Sequence, residues 1–190
     1  NDIFSFTPDA EIAIECDPRT LQDEMASRIG VLGFNRASFG VQEFDPLVQA
    51  ALNRIQPPGM VEKAVARLRE AGVAGINFDL IYGLPHQTTA MTINTARRSA
   101  AMKPDRFALF GYAHVPWMSK RQVLIDESAL PDPEMRYELS ELARRLLTLD
   151  GFEQIGFDHF ARPGDGLATA KASGHLRRNF QGYTDDTAEV

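Results

Sequence analysis

The stretch Gly75–Pro85, GINFDLIYGLP, determines how the rest of the chain is interpreted. Its apolar residues alternate with Asn77 and Asp79 and it ends in a glycine and a proline, a pattern that predicts a buried strand followed by a turn. Because successive strand side chains point to opposite faces, Asn77 and Asp79 share one face. Ligands of parallel α/β folds bind at the carboxyl ends of the strands, which makes Asp79 the first candidate for a binding residue. An unpaired buried carboxylate is costly, so a structural partner is the alternative to a ligand.

Composition places the chain among globular proteins and excludes several functional classes. Of its 190 residues, 44% are hydrophobic and 24% are charged, as in a single domain with a sizeable core. No apolar run approaches the roughly 18 residues of a membrane span, and the first residues lack the features of a signal peptide. We therefore expect a cytoplasmic protein without a membrane span. The formal net charge of -6 and the lack of a basic tract predict no nucleic-acid partner.

Cysteines and histidines are too few and too scattered to predict a metal site. Cys16 is the single cysteine, so neither an internal disulfide nor an iron–sulfur or zinc site built from this chain's own thiolates is expected. The four histidines have no ligand spacing such as HExxH. We therefore predict that no residue of this chain binds a metal.

Strand and helix patterns alternate along the chain. Strands are predicted at residues 12–16, within RASFGVQEF, in the central stretch, at 107–114 and at about 154–160. Helices are predicted at about 20–33, 46–54, 61–72, 88–103 and 133–151, where apolar residues follow helical spacing. Thr20 resembles the start of a capping box, whereas Asp45 and Asp132 precede prolines as N-caps. Residues 115–130 and the polar segment after the last strand are predicted to be loops.

The polar residues of the strands distinguish two possible architectures. Four strand–helix units fit an open doubly wound sheet or part of a (β/α) barrel, and no GxGxxG or Walker motif follows a strand. A barrel is favoured because four strands bring small or polar residues to one face, which suits the lumen around a polar ligand. Those residues are Glu15, Ser38 with Gln42, Asn77 with Asp79, and Gly111 with Ala113. The predicted fold class is therefore α/β, a partial (β/α) barrel with outer helices.

Six motifs resemble one enzyme family in their order and spacing. The segments IECDP, GFNRASFGVQEF, NFDLIYGLPHQT, FGYAHVPW, GFDHFARP and RRNFQGYT are similar to those of oxygen-independent coproporphyrinogen III oxidases, which are radical S-adenosylmethionine (SAM) enzymes. The resemblance covers nearly the whole chain and implies an incomplete (β/α)6 barrel, of which this chain would supply the third to sixth strands. Residues 1–130 would form a partial radical SAM barrel. Residues 131–190 would supply the last barrel helix, the following strand and the start of a C-terminal region.

Two motifs of that family are missing from the sequence. The Cys-x-x-x-Cys-x-x-Cys motif that holds the 4Fe-4S cluster and the glycine-rich SAM-binding stretch both precede the region that matches. The resemblance therefore implies a fragment whose parent uses SAM and a 4Fe-4S cluster with ligands outside this chain. Alone, the fragment is expected to be inactive, and Cys16 is expected to face the helices in the core.

The resemblance also implies which residues bind the cofactor. The position of Glu15 would contact the SAM bound to the cluster, and a second SAM would be contacted by Gln42, Arg54, Asp79 and Ala113. Gln181 would lie near the active site. This agrees with side-chain chemistry, since an arginine can pair with a carboxylate and an aspartate with an ammonium group or hydroxyls. The alternatives are a helix C-cap for Arg54 and a strand-end hydrogen bond for Gln42.

The reaction implied by the resemblance converts two propionates of coproporphyrinogen III to vinyl groups, giving protoporphyrinogen IX and carbon dioxide. A 5'-deoxyadenosyl radical derived from SAM would abstract hydrogen from each propionate, and an unidentified electron donor would reduce the cluster. The alternative is a related haem chaperone that binds haem without oxidase activity. The segments DHFARP and RNFQGYT are typical of the oxidase and count against the chaperone.

Some residues near the predicted site are interpreted as structural. Trp117 is expected in the core rather than as a shelf for a porphyrin. A set of basic residues lies beyond strand ends, where it could meet the substrate's propionates, although solvated charge is the alternative that we favour for most of them. These residues are Lys120, Arg121, Arg162, Arg177 and Arg178.

Overall fold

A computed structural model of the protein describes residues 6–8, 10–179 and 182–185. Parallel strands alternate with helices through most of the chain, as the sequence predicts. The strands are β1 (Ala13–Cys16), β2 (Arg36–Gln42), β3 (Gly75–Tyr82), β4 (Arg106–Gly111), β5 (Glu153–Ile155), β6 (His159–Ala161), β7 (Arg177–Arg178) and β8 (Tyr183–Thr184). The helices are α1 (Asp23–Val31), α2 (Pro46–Ala51), α3 (Pro58–Glu70), α4 (Thr89–Ala101), α5 (Pro133–Leu149) and α6 (Gly166–Ser173).

Six strands form one mostly parallel sheet in the order β1-β2-β3-β4-β6-β5. β1 to β4 are parallel neighbours, whereas β6 pairs antiparallel with both β4 and β5. The predicted α/β class with parallel strands and outer helices is confirmed. The described strands form an open sheet, with β1 at one edge and β5 at the other.

A row of phenylalanines builds the core between the sheet and its helices. Phe39, Phe78 and Phe107 are register partners on three adjacent strands, and their rings meet edge to face at centroid distances of 6.3 and 6.0 Å. Phe152 continues the row at 4.9 Å from Phe107. All four are almost completely buried. Since edge-to-face aromatic pairs contribute beyond their buried area, this row fixes the helix-facing side of the sheet and leaves the other face for polar residues.

Three helix starts follow the cap signals of the sequence, whereas the start of α1 does not. The side chains of Asp45, Thr88 and Asp132 accept hydrogen bonds from the first turns of α2, α4 and α5. The capping box predicted at Thr20 is wrong. Helix α1 begins at Asp23 after a residue without a side-chain cap, and the Thr20 hydroxyl donates to the Asp17 carbonyl instead.

The last third of the chain departs most from the sequence-based prediction. The single strand predicted at 154–160 is a hairpin of β5 and β6, because Gly156 takes the left-handed conformation that a tight turn requires. The predicted terminal loop contains α6, which is capped by Asp165, and the small β7–β8 ribbon. Strand β4 ends at Gly111 rather than at residue 114. Trp117 is 79% exposed, so its predicted place in the core is wrong.

The predicted environment of Cys16 is confirmed, since its side chain packs against the main core and burial raises the pKa of its thiol. In the described part of the chain, no helix is both long and apolar enough to cross a membrane.

Candidate ligand-binding site

Polar side chains converge on the face of the sheet opposite the phenylalanine row. Register pairs Glu15 with Ser38 and Ser38 with Asn77, so three adjacent strands present these side chains side by side. Asp79 lies two residues further along β3 on the same face, as strand alternation predicts. Together with residues of β4 and the C-terminal part, they line a cavity of about 300 Å³.

On β4, the residues that face the cavity differ from those predicted. Phe107 and Leu109 are buried on the helix side. Gly111 follows on that side, where an added Cβ would meet Tyr82 and Arg136. The prediction that Gly111 lines the lumen is therefore wrong. The side chains of Ala108 and Phe110 face the cavity instead.

Asp79 is a largely buried carboxylate without a counter-ion among the described residues. Its hydrogen bond with the Ser38 hydroxyl, which donates, is long at 3.4 Å. Burial raises the pKa of Asp79 to about 6, and the negative charge of Glu15 acts in the same direction. The interpretation of Asp79 as one half of a structural ion pair therefore finds no support in the described residues.

A bulge at the end of β2 turns Gln42 toward the carboxyl ends of the strands. Gly40 pairs with Asp79 while Gln42 already pairs with Leu80, and Gln42 has a φ of 65°. Its Oε1 atom is buried and has no hydrogen-bond partner among the described residues, so the alternative of a strand-end hydrogen bond at this atom is not supported. A bulge of this kind re-aims one side chain and is frequent next to binding sites.

Arg54 reaches the same place from the loop after α2. Its Nη2 atom donates to the Gly40 carbonyl at 2.9 Å, and its Nη1 atom lies 3.5 Å from Asp17. The guanidinium thus contacts β2 rather than capping α2. Its Nε atom is buried without a hydrogen-bond partner in the described part of the chain. A Cβ on Gly40 would lie 2.6 Å from the side chain of Gln42 and 3.1 Å from that of Arg54, so glycine gives both of them room.

These side chains form one cleft of about 340 Å³ at the carboxyl ends of β1, β2 and β3. Its lining residues are Glu15, Cys16, Asp17, Ser38, Gly40, Gln42, Arg54 and Asp79. The structure thus brings together four of the six predicted site residues. Ala113 lies two residues beyond β4 and is not among the residues that line this cleft, and its carbonyl accepts a hydrogen bond from Gln122. Gln181 lies outside the described residues.

At the amino-terminal ends of the strands, an ion-pair network borders the cavity through Arg106. Arg106 donates to Asp165 at 2.8 and 2.9 Å and to Glu11 at 3.0 Å through both terminal nitrogens. Arg36 joins through Asp165 at 3.2 Å and Asn77 at 2.9 Å. Sequence reasoning missed this network, although an arginine at the start of the apolar strand RFALFG was a signal for it.

His159, which the sequence analysis considers only as a metal ligand, also lines the cavity. The Nδ1 atom of His159 lies 2.7 Å from the carboxylate of Asp158, and its ring meets Tyr183 and Phe110 edge to face at 5.4 and 6.0 Å. The pair lies within the motif GFDHFARP. Among the described residues, no group of three or more histidine, cysteine, aspartate and glutamate side chains is arranged to hold a metal ion.

The sequence model of the radical SAM superfamily matches residues 3–98. The chain therefore belongs to the radical SAM superfamily. Within it, the chain is similar to oxygen-independent coproporphyrinogen III oxidases. The one from Paracoccus denitrificans is 50% identical over 189 residues, which are 100% of this chain and 42% of that protein. The one from Bradyrhizobium diazoefficiens is 54% identical over 187 residues, which are 98% of this chain and 42% of that protein.

Solved structures agree with this assignment. Coproporphyrinogen III oxidase (HemN) from Escherichia coli, described as a radical SAM enzyme, superimposes with a TM-score of 0.93 at 42% identity over 98% of this chain and 43% of that chain. The archaeal Elp3 of Methanocaldococcus infernus has a TM-score of 0.57 at 16% identity over 70% of this chain and supports the fold alone. The predicted family resemblance is confirmed. The chain spans about 42% of the length of the curated relatives it matches.

Proposed function

We propose that this chain is part of an oxygen-independent coproporphyrinogen III oxidase and supplies much of its SAM-binding surface. The whole protein would convert two propionates of coproporphyrinogen III to vinyl groups, in the cytoplasm and with an electron donor yet to be identified. The observation that carries the proposal is the cleft in which Gln42, Arg54 and Asp79 meet. The proposal is also supported by relatives named as this oxidase, which align with nearly the whole of this chain.

The cleft fits SAM by the chemistry of its unsatisfied groups. Arg54 has a buried nitrogen without a hydrogen-bond partner among the described residues, and it suits the carboxylate of the methionine part. Asp79 lacks a counter-ion in the described part of the chain and suits the ammonium group or the ribose hydroxyls. The Gln42 oxygen is a further acceptor that a bound ligand would satisfy. Glu15, on the neighbouring strand, would contact a SAM bound nearer the cluster.

The described residues do not provide a ligand set for an iron–sulfur cluster, and the partly buried Cys16 packs against the core. The cluster's ligands would therefore come from outside this chain. Together with SAM, a bound cluster supplies the one-electron chemistry. The part of this chain is to orient SAM and to keep water from the reacting atoms, with Ala113 and Gln181 in supporting positions. We further propose that residues 1–130 belong to the barrel and residues 131–190 to its last helix, the following strand and a C-terminal region.

The test uses the full-length protein that contains this chain, reconstituted with iron and sulfide under anaerobic conditions. We expect coproporphyrinogen III to be converted to a product with two vinyl groups, measured by chromatography after oxidation to the porphyrin. The Asp79→Asn variant should lose most of this activity while remaining folded. Stoichiometric haem binding without vinyl formation would contradict the proposal and favour the haem chaperone.

A further inference from the structure

The buried side chain of Glu43 links the end of β2 to the turn after β3. Glu43 follows the bulge residue Gln42 and is only 1% exposed. One carboxylate oxygen accepts from the main-chain N–H groups of Phe44 at 2.7 Å and Asp45 at 3.1 Å, and from the hydroxyl of Thr95 on α4. The other carboxylate oxygen accepts from the side-chain amide of a glutamine at position 87 at 2.7 Å.

That glutamine, Gln87, carries the link to β3. It is 6% exposed, and its Oε1 atom accepts from the main-chain N–H groups of Gly83 at 2.7 Å and Leu84 at 3.2 Å. Its Nε2 atom also donates to the carbonyl of Ile81 at 3.1 Å. Gly83 has a φ of 82°, a conformation that favours glycine. The turn after β3 therefore depends both on glycine at position 83 and on the side chain of Gln87.

The hydrogen-bond pattern requires an acid at position 43 and an amide at position 87. All four partners of Glu43 donate hydrogen bonds to it, and an ionised carboxylate can only accept them. Burial raises the pKa of Glu43, and its hydrogen bonds from Thr95, Gln87 and the main chain oppose that effect. A glutamine at position 43 would turn its own NH₂ group toward the NH₂ of Gln87 and leave buried donors facing each other.

The position of Gln42 depends on this link. Gln42 has a positive φ, which is uncommon for a residue other than glycine and persists where its surroundings hold it. Glu43 holds the chain immediately after it, and Gln56 holds the chain before it by donating to the carbonyls of Gly40 and Val41, each at 3.1 Å. The side chain of Gln42 then lines the cleft.

We propose that Glu43 is a positioning residue, whose carboxylate joins the β2 bulge to the turn after β3 and thereby sets the direction in which Gln42 faces the ligand. The inference rests on the proposed function, since SAM is the ligand in question. Glu43 itself follows the last residue of β2 and is not among the residues that line the cleft.

An exchange of the two side chains tests this role. In the full-length protein, Glu43→Gln places two amides against each other, and Gln87→Glu places two carboxylates against each other. The double variant restores one acid and one amide, with the carboxylate now accepting from Gly83, Leu84 and the amide at position 43, and it loses only the hydrogen bond to the Ile81 carbonyl. SAM binding is measured by equilibrium dialysis with radiolabelled SAM. Each single variant should bind on the order of 10-fold more weakly, and the double variant should bind more tightly than either single variant and regain part of the affinity.

Two further measurements separate positioning from stability. Val65→Ala, a core truncation on α3, is the matched control and should lower the melting temperature without changing SAM affinity per folded molecule. Hydrogen exchange at the amides of residues 83 and 84 should rise in each single variant and fall again in the double variant, with no ligand present. Single variants that bind SAM like the wild type, or a double variant no better than the singles, would overturn the inference. A wild-type protein that binds no SAM would overturn the proposed function itself.

Discussion

At the residue scale, Asp79 is the side chain with the clearest pH dependence. Its pKa is raised from 3.8 to about 6 in the folded chain, chiefly by burial. Between these two values the folded state binds more protons than the unfolded state, so the free energy of unfolding falls as the pH rises through this window. The ionised carboxylate is therefore a cost to the ligand-free fold, as expected of a residue kept for binding rather than for stability.

We therefore expect Asp79→Asn to stabilise this chain at pH 7, by up to about 3 kcal/mol, since one pKa unit corresponds to about 1.4 kcal/mol. At pH 4 the variant and the wild type should differ little. Urea unfolding at both pH values measures the difference. A loss of stability at pH 7 would mean that Asp79 has a structural partner after all, because breaking a buried ion pair costs about 3 to 5 kcal/mol.

The same carboxylate should make SAM binding by the full-length protein depend on pH. A cationic ammonium group favours the ionised form, so affinity should fall from pH 7 to pH 5 as Asp79 takes up a proton. Asp79→Asn should abolish this dependence and weaken binding at pH 7 on the order of 10 to 100-fold, the equivalent of a hydrogen bond between charged groups. Equilibrium dialysis across this pH range provides the measurement.

A substitution of Arg54 tests the proposed contact with the carboxylate of SAM. Arg54→Ala removes the guanidinium that suits a carboxylate, and SAM binding should weaken on the order of 10 to 100-fold. Arg28→Ala is the control, because the Arg28 side chain pairs with Glu24 alone among the described residues, at an exposed place on α1. Equal affinity in the two variants would show that Arg54 is a structural contact of β2.

At the element scale, the sequence predicted those helices and strands that have a cap or turn residue next to a regular apolar pattern. Strand β3 and the starts of α2, α4 and α5 are such cases. The β5–β6 hairpin and α6 were missed because they are short and are held by distant contacts, so that the local signals of Gly156 and Asp165 do not by themselves predict them. Strand β6 has only three residues and is held by β4, and α6 packs against β5. For the site, strand alternation identified the face of Asp79, but nothing local indicated that Glu43 would meet Gln87.

The ion-pair network joins distant elements and should contribute strongly to stability. Asp165 links the start of α6 to Arg106 and Arg36, and all three side chains are largely buried. Asp165→Asn keeps a good N-cap but leaves Arg106 and Arg36 with Glu11 as their one remaining carboxylate among the described residues, so the free energy of unfolding should fall by about 3 kcal/mol, the lower end of the cost of breaking a buried ion pair. Glu24→Gln, which breaks an exposed pair, should cost less than about 1 kcal/mol. Similar losses in both variants, measured by urea unfolding, would contradict this prediction.

At the scale of the whole molecule, the position of β1 in the sheet has the largest consequence. Among the described residues, β1 pairs only with β2 and forms one edge of the sheet. An uncovered edge presents main-chain donors and acceptors that can pair with another chain, and natural proteins protect such edges with charge or with a covering segment. Strand β1, with the sequence AIEC, carries one charged side chain, Glu15. Its edge is therefore a site at which two copies of this chain can join their sheets.

We expect this 190-residue chain, studied alone, to self-associate through β1. Sedimentation velocity should reveal dimers or larger species whose proportion rises with protein concentration. Ala13→Lys adds a charge at the start of the strand without touching the core, since Ala13 is exposed, and it should shift the chain toward the monomer. Ser173→Lys, at the exposed end of α6, adds the same charge far from the edge and should change nothing. A wild-type chain that stays monomeric at every concentration would mean that another segment covers β1. Association unaffected by Ala13→Lys would mean that a different surface joins the copies.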